Sequence, residues 1–195
     1  MVDDFVKNIE SKIILYFHND PSSMKGAKTA QERIDLLKKV DKIIFISNWV
    51  KNKFFENTNL NNHSKTEIIY HSIDPSQKVI KKRKQIVFVG KLNEAKGYDI
   101  FCDAINRIMD KTPKWKAFSI GDENRRKIYI NHKNHHELGF LKHSRVMDLL
   151  DKTSISVVPS KWEEPFGRTA LEATSRGCAT IISNRGGLPE TTDKA

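Results

Sequence analysis

The chain has 195 residues, 38% of them hydrophobic and 30% charged, enough to build one well-cored domain or two small ones and too apolar for a disordered chain. No apolar run approaches the ~20 residues of a membrane span, and the opening MVDDFVKNIESK has neither the basic nor the apolar region of a signal peptide. The formal net charge of +10 favours anionic partners, although the abundance of Lys, Asn and Ile supplies much of it through composition alone.

Short apolar runs recur along the chain: 13–17 (IILYF), 42–47 (KIIFIS), 67–70 (EIIY), 85–90 (QIVFVG), 115–121 (WKAFSIG), 154–160 (SISVVPS) and 179–183 (ATIIS). They are β-branched and nearly continuous, as suits parallel strands covered on both faces. Helical patterns lie between them. SNWVKNKFFEN has Ser47 as its N-cap, YDIFCDAINRIMDK stripes Phe101, Ala104, Ile105, Ile108 and Met109, and SRVMDLLDK behaves similarly. This alternation predicts an α/β fold of two Rossmann-like, doubly wound parallel-sheet units, both incomplete. The polar, basic segment 76–84 (SQKVIKKRK) reads as a linker between a unit at 1–75 and another at 85–195. Cys102 and Cys178 fall in patterned apolar segments and read as core thiols of a reducing compartment.

Chemistry concentrates after the strands, where open parallel sheets gather their ligands. In SKWEEPFGRTALEATSRG a loop runs into a helix closed by Gly177, and the helix start around Phe166–Thr169 favours an anion. Glu164 stands in the loop and Glu172 in the second turn, placed to hold different parts of one ligand. Acids near helix starts also simply stabilise the helix, by ~0.3–1 kcal/mol. In FVGKLNEAKG, Gly90 ends a strand, and Lys91 and Lys96 bracket a turn where two ammonium groups suit a diphosphate; solvated surface lysines are the plainer reading. The Gly-Lys-Ser/Thr ending of a P-loop is absent. Gly186-Gly187 makes a turn whose amides are placed to face a sugar or phosphate, and His18 follows the first strand in YFHNDP. The segment NHKNHHE (131–137) reads as a solvated loop rather than a metal site, because its histidines lack a fourth ligand at zinc-like spacing.

Together these motifs resemble the family 4, or group 1, retaining glycosyltransferases of the GT-B fold. EPFGRTALEA matches that family's E-x7-E element and GKLNEAKG its G-R/K-x4-K-G element; SNWVKNKF, IIYHSID, PSKWEEPFG and GGLPE follow in the family's order. The resemblance implies transfer of a sugar from a nucleotide-diphosphate sugar to a sugar, lipid-linked or other hydroxyl acceptor, with retention, in glycan or cell-envelope polysaccharide biosynthesis. It makes 1–75 the C-terminal part of the acceptor-side domain and 85–195 a truncated donor-binding domain. Glu164 and His18 would lie at the reacting sugar. Gly90, Lys91, Lys96, Phe166, Gly167 and Arg168 would hold the diphosphate, Glu172 the ribose, and Phe140 and Leu141 the base. No metal and no cofactor is expected, since no Asp-x-Asp motif occurs and fixed cations take the metal's place. Lys91 stands where Arg is commoner, giving a point charge in place of a fork. His71-Ser72 stands where Asn-Gly is frequent, which makes His71 a candidate hinge residue.

The resemblance starts midway through the acceptor domain and stops before the donor domain ends. A fragment, a broken reading frame, or a chain that a partner completes is expected to be weakly active or inactive alone. The competing readings are a non-catalytic nucleotide-sugar-binding module and a nucleic-acid binder. The latter lacks interleaved aromatic and basic residues on a strand face and the common helix-turn-helix, zinc-finger, RRM, KH and related motifs, so no nucleic acid is expected. The expected location is cytoplasmic, with peripheral attachment to the inner face of the membrane left open by the aromatic–basic mix of residues 47–57.

Overall fold

The computed structural model describes residues 11–76, 80–124 and 128–192. The chain divides into two units, one ending at His71 and the other starting at Ser72.

The first unit runs β1 (Ile14–Phe17), α1 (Ala30–Lys39), β2 (Lys42–Phe45), α2 (Asn48–Phe55) and β3 (Thr66–Ile68). Its strands form a parallel sheet in the order β1-β2-β3. Helix α1 starts at a capping box in which the Thr29 side chain and Glu32 satisfy each other's backbone amides. Helix α2 starts on Ser47, whose hydroxyl accepts the Val50 amide at 3.1 Å. The core is a cluster of Phe17, Phe45, Phe54 and Phe55 rings with centroids 5.1–6.3 Å apart. Phe54 and Phe55 are therefore core residues rather than a membrane-facing patch. Arg33 is also buried, its guanidinium donating to the carbonyls of Ala27, Lys28, Phe54 and Glu56.

The second unit runs β4 (Arg83–Val89), α3 (Tyr98–Ile108), β5 (Lys116–Ile120), β6 (His135–Glu137), α4 (His143–Lys152), β7 (Thr153–Val158), α5 (Arg168–Ser175) and β8 (Ala179–Ile182). All five strands are parallel, in the order β6-β5-β4-β7-β8. The run Ile86-Val87-Phe88 explains why β4 is central. Ile86 and Phe88 pack on one face with Tyr98, Phe101, Ile105 and Met109 of α3 and its end. Val87 packs on the other with Val146, Met147 and Leu150 of α4 and Ala173 of α5. Alternate residues thus serve opposite layers, and a continuous apolar run is what a strand covered on both faces requires. Cys102 and Cys178 are buried free thiols within these layers, and burial pushes the Cys178 thiol pKa up.

Three features differ from the sequence reading. Arg83 and Lys84 belong to β4 rather than to a linker, and Lys82 before them is anchored, its ammonium donating to the Leu150 and Arg176 carbonyls at 3.0 and 2.5 Å. Residues 135–137 form strand β6 instead of a solvated loop. Ser119 Oγ lies 2.9 Å from His135 Nε2, and the His136 ring stacks on Phe118. Helix α1 lies in a segment to which the sequence reading gave no element.

Candidate functional site

The order of the five-stranded sheet fixes where a ligand should sit. From β4 the chain winds outward through β5 and β6, then returns to the other side of β4 with β7 and β8. The connections after β4 and β7 therefore leave neighbouring strands in opposite directions, and the crevice between them is the usual ligand position of an open parallel sheet.

These two connections are bonded together. After β4 the chain turns through a short 3-10 segment, Glu94–Lys96, whose start is capped by Asn93 accepting the Lys96 amide at 3.1 Å. After β7 comes Pro159–Gly167. The Ala95 carbonyl accepts from the Lys161 amide (3.0 Å), the Trp162 amide (2.9 Å) and the Ser160 hydroxyl (3.2 Å). The Lys161 ammonium donates to Asp99, a hydrogen bond that raises the lysine's pKa. Gly97 has φ +71°, and a side-chain Cβ there would overlap the Pro159 carbonyl, so only glycine permits this approach.

Within this frame Lys96 meets Glu164. The ammonium lies 2.6 Å from Glu164 Oε1, which also accepts from Ser160 Oγ at 2.9 Å. The Glu164 side chain is 12% exposed, which makes its two partners a requirement, since an unpaired buried charge is costly. Next to it Gly167, at φ +102°, opens α5 with no side-chain cap on the first turn. The positive end of that helix thus points out of the sheet edge beside a lysine.

Glu172 sits one helical turn deeper, 8% exposed. Its Oε1 takes His143 Nε2 at 3.2 Å and Arg168 Nη2 at 3.4 Å. Gly90 ends β4, its amide bonded to the Ile120 carbonyl, and Lys91 follows with its side chain exposed. Phe140 and Leu141 lie in the segment after β6. That segment runs along the end of β5 through bonds from the Leu138 amide to the Ser119 carbonyl and from the Gly121 amide to the Gly139 carbonyl. The Phe140 ring is 76% exposed, while Leu141 packs on the core beside Val87 and Ile120. Phe166 is buried, so its side chain does not face solvent at the sheet edge.

The second unit thus carries Gly90, Lys91, Lys96, Phe140, Leu141, Glu164, Phe166, Gly167, Arg168 and Glu172 on connections that follow its strands. Two direct pairings result, Lys96 with Glu164 and Arg168 with Glu172. His18 belongs to the first unit. It is exposed after β1, its ring 4.3 Å from that of Tyr16 and 5.3 Å from that of His71, and the Tyr16 hydroxyl is tied to the Ile69 carbonyl.

One expectation is overturned. The Gly186 and Gly187 amides do not face a ligand. The first donates to the Glu163 carboxylate at 2.5 Å and the second to the Glu164 carbonyl at 2.7 Å. The turn is a brace for the Glu163–Glu164 segment, reinforced by the Arg185 contact to Glu163 at 3.0 Å. Sequence reasoning also missed Ser160 and His143, the partners of the two acids. Ser160 stands four residues before Glu164, a spacing that hints at the contact. Nothing local marks His143, 29 residues from Glu172. Among the described residues no helix is long and apolar enough to cross a membrane, and no cluster of three His, Cys, Asp or Glu side chains is placed to hold a metal ion.

Residues 71–195 match the family model for "Glycosyl transferases group 1". An "uncharacterized 42.6 kDa protein in cps region" of Klebsiella pneumoniae is 32% identical over 158 residues, covering 78% of this chain and 41% of that protein. A 2-deoxystreptamine N-acetyl-D-glucosaminyltransferase of Niallia circulans is 28% identical over 202 residues, covering 95% of this chain and 46% of that protein. Among solved structures, Anabaena Alr3699/HepE in complex with UDP superposes with a TM-score of 0.73 at 19% identity, over 92% of this chain and 55% of that one. This last likeness is one of fold, the GT-B fold. The chain spans about half the length of these relatives. With a family model matching 71–195 and the motif-bearing loops meeting at one sheet edge, the chain belongs to the group 1 glycosyl transferases.

Proposed function

We propose that the chain forms the donor-binding side, and part of the acceptor side, of a glycosyltransferase that moves a sugar from a nucleotide-diphosphate sugar to a hydroxyl acceptor with retention of anomeric configuration. The observation that carries this reading is the Lys96–Glu164 pair at the crevice between β4 and β7, beside the uncapped start of α5. A diphosphate leaving group gains negative charge as the glycosidic bond breaks. Cations and helix amides fixed beforehand stabilise that charge without reorganising. In this reading Lys91, Lys96 and the α5 start hold the diphosphate, and no metal is needed. Glu164, held by Lys96 and Ser160, meets the donor sugar; Glu172 takes the ribose, the segment of Phe140 and Leu141 takes the base, and the family resemblance assigns His18 of the first unit to the sugar. Acceptors in glycan or cell-envelope polysaccharide biosynthesis suit the cps-region relative, and a cytoplasmic protein in peripheral contact with the membrane would reach them.

The test is calorimetry with UDP, ADP and GDP beside a transfer assay with the corresponding sugar nucleotides. The chain should bind at least one of these nucleotides. Lys96→Met should weaken that binding by about tenfold, the size of one lost charge-assisted contact. Glu164→Gln should leave nucleoside-diphosphate binding within about threefold and abolish transfer. Binding that ignores Lys96 would sink the assignment. Donor binding without any transfer by the wild type would keep the donor-binding reading and favour the non-catalytic binding module over an isolated chain that is itself active.

A further inference from the structure

We infer that His143 is a positioning residue for ribose recognition: it holds the Glu172 carboxylate in the orientation that accepts the two hydroxyls of a ribonucleoside. The inference rests on the donor-site reading above. The Glu172 carboxylate needs partners because its side chain is only 11% exposed. Two are present, and they differ in kind. Arg168 precedes Glu172 by one turn of the same helix and reaches it at 3.4 Å from a side chain that is 67% exposed; such a contact is weak and easily given up. His143 comes from a different element. It opens α4 and reaches Glu172 Oε1 at 3.2 Å through Nε2, so the ring must carry its hydrogen on that atom.

The bond count is specific. A carboxylate offers about four acceptor positions, two on each oxygen. His143 and Arg168 use those of Oε1, and no described residue donates to Oε2. Two acceptor positions therefore remain, the number a cis-diol requires. His143 also follows Phe140 and Leu141 by two or three residues, in the segment laid along the end of β5. The ring thus joins the stretch placed for a nucleobase to the carboxylate placed for the ribose. With a side chain 61% exposed, it has no packing role that would account for its position.

The experiment compares binding of the tightest of UDP, ADP and GDP, its 2′-deoxy counterpart, and inorganic pyrophosphate. Wild type should prefer the ribonucleotide over the deoxy form by about tenfold or more, the net worth of one hydroxyl bond to a carboxylate. His143→Ala should reduce that preference to about threefold or less while leaving pyrophosphate affinity unchanged. His143→Gln, which restores a donor, should recover most of the preference. An unchanged ribose preference in His143→Ala overturns the inference and leaves the donor reading standing. So does an equal loss of pyrophosphate affinity, which would mark a general effect on the site. Failure of the wild type to bind any of the nucleotides overturns both.

Discussion

Lys82 and Lys96 lie beyond opposite ends of the same strand, β4, and they show how position decides what a lysine does in a chain with many of them. Lys82 stands at the N-terminal end. Its ammonium faces the Leu150 carbonyl in the last turn of α4 and the Arg176 carbonyl that caps α5. Those are the negative ends of two helices, and the lysine neutralises them and ties them to the strand. Lys96 stands past the C-terminal end, beside the positive start of α5, where a cation adds to existing positive potential. Among the described residues, only the carboxylate of Glu164 pairs with it. The first lysine completes a closed arrangement. The second leaves an edge that an anion improves, and this asymmetry is why the C-terminal end of the sheet, and not the other, is the candidate site.

The sharpest way to break the comparison is Gly97→Ala. The glycine lets the turn carrying Lys96 touch the Pro159 carbonyl, at φ +71°. A methyl group there meets backbone that cannot swing aside, and the left-handed conformation adds its own strain. The cost should be at least about 3 kcal/mol, seen as a large fall in the thermal midpoint, with nucleotide binding lost in whatever remains folded. A midpoint unchanged within error would show that the two connections are not packed as described.

Lys82→Met comes next. It keeps the apolar stem and removes the ammonium from two carbonyls. The Leu150 carbonyl retains other donors, the Thr153 amide and the Cys178 thiol, so the loss falls mainly on Arg176. Destabilisation of about 1–2 kcal/mol follows, measurable by denaturant unfolding. Affinity for the nucleotide should stay at the wild-type value, because the closed end of the sheet takes no part in binding. A drop in affinity comparable to that of Lys96→Met would erase the distinction between the two ends.

Much of this contrast was legible in the sequence, and the exceptions have physical causes. The apolar run of β4 announced a strand covered twice, and Ser47 and Gly177 marked helix ends that the structure keeps. Helix α1 escaped notice because its buried face includes Arg33, a residue read as polar and here satisfied entirely by backbone carbonyls. Strand β6 escaped because His-His-Glu carries no strand signal; the pairing comes from β5, with Phe118 and Ser119 supplying the partners. At the candidate site, the motifs singled out Lys96, Glu164 and Glu172. They did not show which charges pair, because pairing depends on loops folding across 68 residues for Lys96 and Glu164. The Gly186-Gly187 turn misled for the same reason: amides that look free along the chain are taken by Glu163 and Glu164 in space.

Gly177→Ala is the control that gives the first prediction its meaning. Gly177 has φ +73°, two degrees from Gly97, and it closes α5 in a full Schellman arrangement. Its amide donates to the Thr174 carbonyl and the Cys178 amide to the Ala173 carbonyl. Yet its surroundings are open: a Cβ would find only the end of the Lys82 side chain, at 3.6 Å. The strain of the left-handed conformation alone therefore remains, about 1 kcal/mol, with no loss of nucleotide binding. Because the dihedral is shared, the difference in midpoint between Gly97→Ala and Gly177→Ala measures the contact with Pro159 by itself. If the two substitutions cost the same, the backbone conformation accounts for everything, and the contact that holds Lys96 over the crevice contributes nothing to the fold.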